Sequence, residues 1–256
     1  MLPTSVAERR NAIIEILNEK GRVSVKELSA LFSVSSVIIR TDLDELEKQD
    51  MLTRVHGGAI TSYKSYYDMG IVQRSNTNAE EKAAIAERIS KMIKDNSTII
   101  LNAGTTPLFV MRAIKDKKVT ILTNSIALAL EGAANPNFRI ILLGGEVDNN
   151  YQFTHGVSVL SSLEQYTADL FILSVDGVDA AHGISTFYHA EAEICRAMIK
   201  HARKTVVAAD YSKIGRVAFA KIDALSSVNC IVTNKKAPAL CLKDFKTKGV
   251  EVITVN

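Results

Sequence analysis

The chain reads as an α/β protein in two unequal parts, and three features predict this. Two closely spaced helical patterns, at residues 24–32 and 35–49, run into a His56-Gly57-Gly58 turn. Residues 63–78 lack a sustained period, and from residue 79 onward apolar runs alternate with helical stretches. With about 100 to 200 residues per domain as the prior, the 256 residues divide into a small domain at 1–62, a linker at 63–78 and a larger domain at 79–256.

Residues 5–20 show apolar Ile13, Ile14, Ile16 and Leu17 and stop at Gly21, a good residue to follow a helix. Ser24 stands three residues before Glu27, the spacing of a capping box, and Val25, Leu28, Leu31 and Phe32 are expected to supply the buried face of the next helix. After Ser33-Val34, Ser35 can cap a further helix on which Ile39, Leu43 and Leu46 share one arc. Residues 51–55 and 59–62 then form two extended runs around glycines that permit a tight hairpin. Such an ordered set is a winged helix-turn-helix, whose second helix enters the major groove of double-stranded DNA.

That geometry places Val37 and Thr41 opposite the core, with Ile38 and Arg40 at the flanks and Ser35 and Ser36 at the leading end. Arg22, Lys26, Arg40 and Arg54 are the candidate phosphate-facing cations, and Arg54 and His56 ride on the wing. Charge lends little support, since residues 1–60 hold eight Lys and Arg (Arg9, Arg10, Lys20, Arg22, Lys26, Arg40, Lys48, Arg54) against nine acids, and the chain carries only +3. The acidic run Asp42, Asp44, Glu45 and Glu47 reads as a solvated face.

Several of these segments resemble the signature of the DeoR family of bacterial regulators of sugar metabolism: Val25-Lys26-Glu27-Leu28, Val34-Ser35, Ile39-Arg40-Thr41-Asp42-Leu43, Leu46-Glu47 and Arg54-Val55-His56-Gly57-Gly58-Ala59. The family pattern has Thr where this chain has Ile38, Arg where it has Thr41 and Gly where it has Asp50. The first two differences fall on the reading face, and losing an Arg removes the commonest guanine-reading contact. Operator sequence therefore does not transfer from relatives.

Beyond the linker, strands are expected at residues 98–102, 119–123, 139–143, 170–175, 205–209, 229–233 and 250–255, with helices at 79–94, after Thr106 and at 190–202. Continuous apolar strands alternating with helices imply a parallel sheet covered on both faces. Ligands of such sheets bind at the carboxyl ends of the strands. Asn102-Ala103-Gly104-Thr105-Thr106-Pro107 offers a glycine, hydroxyls and a helix start, with Thr106 as cap and Pro107 at the first helical position, a recipe for holding phosphate. Thr123-Asn124-Ser125, Gly144-Gly145, Asp176-Gly177 and the loop from Asp210 to Gly215 with Lys213 end other strands. Each alone reads as an ordinary cap or turn, but together they describe an edge suited to a polar anion.

The DeoR pattern recurs here in Glu81-Lys82, Gly104-Thr105-Thr106, Thr123-Asn124-Ser125, Leu143-Gly144-Gly145, Glu191-Ala192-Glu193, Arg196-Ala197-Met198 and Asp210 with Ser212-Lys213. The resemblance implies a fold similar to ribose-5-phosphate isomerase and glucosamine-6-phosphate deaminase, used to sense phosphorylated sugars. Family members often have Asp at Asn102, Ser at Ala103 and Ser at Tyr211.

An enzyme reading competes, because aldose-ketose isomerisation needs a base such as Asp176, Glu191 or Asp210. A carboxylate that binds sugar hydroxyls has the same appearance in sequence, and the DNA-binding half argues for sensing, so no catalytic residue is assigned. Cys195, Cys230 and Cys241 have no metal or disulfide spacing and fit a reducing cytoplasm. His155, His182, His189 and His201 are scattered, so no metal and no cofactor is expected, with His155 and His189 near the pocket. The N-terminal residues lack a charged-then-apolar pattern and no apolar run approaches about 18 residues, so neither secretion nor membrane spanning is expected. The expected protein is a cytoplasmic homo-oligomer, dimer or tetramer, that partners a double-stranded DNA operator and a phosphorylated sugar effector. It acts as a repressor of a carbohydrate-utilisation operon, with activation as the alternative.

Overall fold

The computed structural model describes residues 5–20, 22–49, 51–61, 71–149 and 151–256. The chain divides into two compact units, Met1–Ala79 and Glu80–Asn256.

In the first unit, α1 (Val6–Lys20) buries Ile13 and Leu17, with Ile14 and Ile16 partly buried beside them. Strand β1 (Arg22–Ser24), unforeseen in the sequence, leads into α2 (Val25–Phe32). The capping box forms as its spacing requires: Ser24 Oγ accepts from Glu27 N at 3.1 Å, and Glu27 Oε2 accepts from Ser24 N at 3.0 Å. Those bonds hold the exposed Glu27 carboxyl below its ordinary range. Leu31 is 52% exposed rather than buried. At 100° per residue it falls roughly 60° outside the arc of Val25, Leu28 and Phe32.

Ser33, in the left-handed region at φ 55°, closes α2. Helix α3 (Ser36–Lys48) follows, then β2 (Leu52–Val55) and β3 (Gly58–Thr61), which pair antiparallel as the wing. Strand β1 adds to β3, giving the order β1-β3-β2. A Cβ on Gly58 would stand 2.0 Å from the Val23 carbonyl oxygen, so only glycine lets β1 lie against the wing. Within the stretch read as linker, Ile71–Asn76 forms a short helix, α4. Gly21, Asp50, Ser62 and the tyrosines Tyr63, Tyr66 and Tyr67 lie outside the described residues.

The second unit opens with α5 (Ala79–Ser90), which ends before Lys94 because residues 91–94 turn toward β4 (Thr98–Leu101). It continues through α6 (Thr105–Ala113), β5 (Val119–Thr123), α7 (Ile126–Ala133) and β6 (Phe138–Leu142). A hairpin of β7 (Glu146–Asp148) and β8 (Phe153–His155) precedes α8 (Val157–Leu163), β9 (Leu170–Leu173), β10 (Gly177–Asp179) and β11 (Gly183–Thr186). The remainder is α9 (His189–Lys200), β12 (Thr205–Ala208), β13 (Ala220–Asp223), β14 (Cys230–Asn234), α10 (Ala239–Thr247) and β15 (Glu251–Val255).

Seven strands make the expected parallel sheet in the order β15-β14-β12-β9-β4-β5-β6. Leu170 to Leu173 and Thr205 to Ala208 are buried along their whole length, as strands covered on both faces must be. The main core joins Ile85 and Ile89 of α5 and Leu108, Val110 and Met111 of α6 to Ile99, Leu101, Ile121, Ile172 and Val206 of the sheet. The antiparallel sheet β10-β11-β13 and the hairpin β7-β8 lie outside the parallel sheet.

Candidate nucleic-acid interface and candidate anion site

Ser35 caps α3, its hydroxyl accepting from Ile38 N at 3.4 Å. Ile39, Leu43 and Leu46 are buried, which turns the expected reading positions outward. Val37 is 65% and Ile38 41% exposed, and Ser35, Ser36, Arg40 and Thr41 are exposed as well. The Thr41 hydroxyl donates to the Val37 carbonyl at 3.1 Å, leaving its oxygen as an acceptor. Arg22 on β1, Lys26 in the first turn of α2 and His56 at the wing tip are all exposed.

Arg54 differs. Its Nε lies 3.1 Å from Asp44 Oδ1 and its backbone N donates to Glu47 Oε1 at 2.6 Å. The acidic run is therefore not a solvated face throughout. Asp42 is 2% exposed and takes Arg9 Nε at 2.7 Å and Arg10 Nε at 3.0 Å. Glu45 pairs with Lys48 at 2.7 Å. The buried side of α3 faces α1, and a carboxylate there is tolerable only because guanidinium groups meet it.

In the second unit the loops after β12, β9, β4, β5 and β6 follow one another along a single edge, because those strands are neighbours in that order. Asn102 is fully buried and joins three elements. Its Oδ1 accepts from Ser174 N at 2.8 Å, and its Nδ2 donates to Ser174 O at 3.0 Å and to Glu191 Oε1 at 3.3 Å. The Thr186 hydroxyl sits 2.6 Å from Glu191 Oε2 and 2.9 Å from Asp176 Oδ2, and Lys213 Nζ lies 3.7 Å from Asp176 Oδ1. Asn102, Glu191, Asp176 and Lys213 are thus one connected cluster.

Helix α6 begins two residues earlier than expected. Thr105 is its first residue, Gly104 stands at the cap without a side-chain bond, and Pro107 is third, so Thr106 does not cap. A Cβ on Gly104 would come within 2.9 Å of Ser174 Cβ, which fixes glycine there. Pro107 remains compatible because first-turn N–H groups have no partner within the helix. Thr105 and Thr106 are buried beside this helix start.

Thr123, Asn124 and Ser125 mostly build their own turn. Thr123 Oγ1 accepts from Ser125 N at 3.0 Å, Ser125 caps α7 by accepting from Leu128 N at 3.3 Å, and Asn124 Nδ2 donates to Thr154 O at 3.2 Å. Asn124 Oδ1 is buried without a hydrogen-bond partner. Gly145 and Gly177 allow close backbone packing, their Cβ positions being 2.4 Å from His155 O and 2.5 Å from Arg216 O, whereas Gly144 borders open space.

Sequence reading gives one residue of the family pattern no role in the site: Lys82, 2% exposed in α5. The Glu81 carbonyl beside it accepts from Asn234 Nδ2 at 3.3 Å, and Asn234 Oδ1 accepts from Tyr211 N at 3.3 Å, tying this helix start to the end of β14 and the Lys213 loop. Glu81-Lys82 belongs to the family pattern, but helical spacing alone does not reveal that the lysine is buried. Among the described residues, no group of three His, Cys, Asp or Glu is placed to hold a metal, and no helix is long and apolar enough to cross a membrane.

A winged helix-turn-helix joined to a parallel-sheet domain with a polar strand-end site defines a two-part regulator. Residues 9–64 match the model of the DeoR-like helix-turn-helix domain, and residues 77–235 match that of the DeoR C terminal sensor domain. The chain belongs to the DeoR family of helix-turn-helix transcriptional regulators. It is 34% identical over 250 residues to the uncharacterized HTH-type transcriptional regulator YulB of Bacillus subtilis (strain 168), covering 98% of this chain and 97% of that one. It is also 34% identical over 236 residues to the glycerol-3-phosphate regulon repressor of Escherichia coli (strain K12), covering 90% and 92%. Among solved structures, ribose 5 phosphate isomerase A from Neisseria gonorrhoeae aligns at 19% identity and a TM-score of 0.40, over 56% of this chain and 55% of that chain.

Proposed function

We propose that this regulator represses a carbohydrate-utilisation operon and that a phosphorylated sugar at the strand-end site controls its hold on DNA. The observation that carries the sensor half is the burial of two lysines, Lys82 at 2% and Lys213 at 8% exposure, on segments that Asn234 ties together at the carboxyl end of the sheet. Cations and helix N-termini suit phosphate, while the acceptor-only carboxylates of Asp176 and Glu191 suit sugar hydroxyls. Gly104, Thr105 and Thr106 contribute the helix start, Asn124 Oδ1 offers an acceptor, and Asn102 holds Glu191 in place. The relative at 34% identity named for the glycerol-3-phosphate regulon supports an effector of this class.

In the DNA half, Ser35, Ser36, Val37, Ile38, Arg40 and Thr41 face the major groove, with Arg22, Lys26 and His56 at the backbone. A symmetric dimer or tetramer in the cytoplasm pairs with repeated half-sites. The strand-end site senses rather than turns over its ligand, its carboxylates being tied to Thr186, Asn102 and Lys213. Effector binding shifts DNA occupancy only through different affinities for the two states of the protein.

The test is thermal unfolding with a panel of phosphorylated sugars, each beside its unphosphorylated twin. A native-state ligand at roughly 100 times its Kd adds about 2.7 kcal/mol, a visible shift in midpoint. Stabilisation by one sugar phosphate but not its twin supports the reading, and silence across the panel rejects the effector class.

A further inference from the structure

Arg54 is the one cation of the wing hairpin, and its position on β2 leads a sequence reader to aim it at DNA. Its surroundings point elsewhere. Nε faces Asp44 at 3.1 Å, Nη1 is buried, and the backbone N donates to Glu47 at 2.6 Å. The side chain is only 23% exposed. Asp44 and Glu47, one helical turn apart, share a face of α3, and both lie in its C-terminal half, where the helix dipole favours a cation.

We propose that Arg54 is a positioning residue: with Asp44 and Glu47 it locks the wing to the recognition helix, and it contributes no phosphate contact of its own. The inference rests on the DNA-reading role proposed above for α3. The exposed positions Val37, Ile38, Arg40 and Thr41 and the wing tip at His56 and Gly57 belong to separate elements. They meet a duplex in register only if the angle between those elements is fixed.

The experiment uses the full-length chain, a duplex enriched from a randomised library by the wild-type protein, and a mixed-sequence duplex of equal length. Arg54→Ala and Asp44→Asn are compared with wild type across a salt series, each variant having been shown to keep a cooperative unfolding transition. A positioning role predicts that both substitutions lower the ratio of selected to mixed-sequence affinity about tenfold. The slope of log affinity against log salt then stays at the wild-type value in Arg54→Ala. A phosphate contact predicts that Arg54→Ala flattens that slope by about 0.9. It also predicts that Asp44→Asn, by freeing the guanidinium and removing a negative charge, tightens binding to both duplexes.

The flattened slope, or an unchanged ratio in Asp44→Asn, overturns the proposal. Arg54→Lys guards against a folding artefact: the lock predicts partial recovery of the ratio, and none would count against it. Failure of the wild-type chain to enrich any duplex would instead remove the DNA-reading role, and this inference with it.

Discussion

Arg9 of α1 and Asp42 of α3, 33 residues apart in sequence, meet at 2.7 Å in the interior of the first unit. Arg10 takes the other carboxylate oxygen at 3.0 Å, so one acid on the recognition helix holds two consecutive arginines of another helix. The apolar contacts of Ile13, Leu17, Ile39 and Leu43 supply the cohesion between these elements, and the charged triad adds a polar tie between the same two helices. Buried ion pairs add little net stability against an apolar replacement, but removing one partner is costly. Asp42→Ala strands two guanidinium groups that are 12% and 26% exposed, and the expected loss is about 2 to 3 kcal/mol in denaturant unfolding. A loss below about 0.5 kcal/mol, the ordinary range for surface substitutions, would show that the triad does not hold the helices together.

The two glycines of the wing should respond differently to alanine. Gly57 sits at φ +78° in open space, so a Cβ there meets only backbone strain, about 1 to 2 kcal/mol. At Gly58 a Cβ would stand 2.0 Å from the Val23 carbonyl oxygen and 3.0 Å from the Ser24 Cα. Backbone cannot swing aside as a side chain can, so β1 must leave the sheet. Gly58→Ala is expected to cost about 3 kcal/mol or more and to lose amide protection in residues 22–24. Equal costs at the two positions would mean that β1 is not packed as described.

The thiols should separate by burial. Burial, with Glu191 nearby, pushes the Cys195 thiol well above its ordinary value against a hydrogen bond from Asn102. Burial also pushes Cys230 up to about 11 and raises the half-buried Cys241. An alkylating reagent near about pH 8 should therefore modify Cys241 first in the native protein, the thiolate being the nucleophile. Since the Cys230 thiol titrates at about 11 folded and at about 8.5 unfolded, the unfolded chain releases its proton first. Stability then declines as pH rises through that window. Mapping the modified peptides checks the order, and early labelling of Cys195 would contradict the packing of α9 on the sheet.

The parts that were legible in the sequence are those whose cause is local. Val119 to Thr123 and Leu170 to Leu173 are strands because continuous apolar runs suit a sheet covered on both faces. The Ser24–Glu27 box and the Ser35 cap depend on spacings of three residues. The three-residue strands Glu146–Asp148 and Gly177–Asp179 have no such signature, because a partner strand alone makes them strands. The same divide runs through the sites. Loop composition marked the strand-end edge, while the burial of Lys82, the pairing of Arg54 with Asp44 and the triad at Asp42 arise only when distant segments pack.

The two proposed sites make separable predictions through Arg40 and Lys213. Arg40 is exposed on the leading half of α3, away from the core residues Ile39 and Leu43. Arg40→Ala should weaken DNA binding by about 1 to 3 kcal/mol if the side chain reads a base, with the sugar-phosphate midpoint shift unchanged. Lys213, 3.7 Å from Asp176 at the strand-end site, should behave in reverse. Lys213→Ala is expected to abolish the midpoint shift given by the effective sugar phosphate while leaving effector-free DNA affinity within about twofold of wild type, because rigid sites without shared partners act additively. Linkage makes the two measurements inform each other, since an effector that releases DNA must itself bind less tightly to the DNA-bound protein, by the same factor. If Lys213→Ala loses the midpoint shift yet DNA is still released by the same sugar phosphate at the same concentration, the controlling site is elsewhere in the chain.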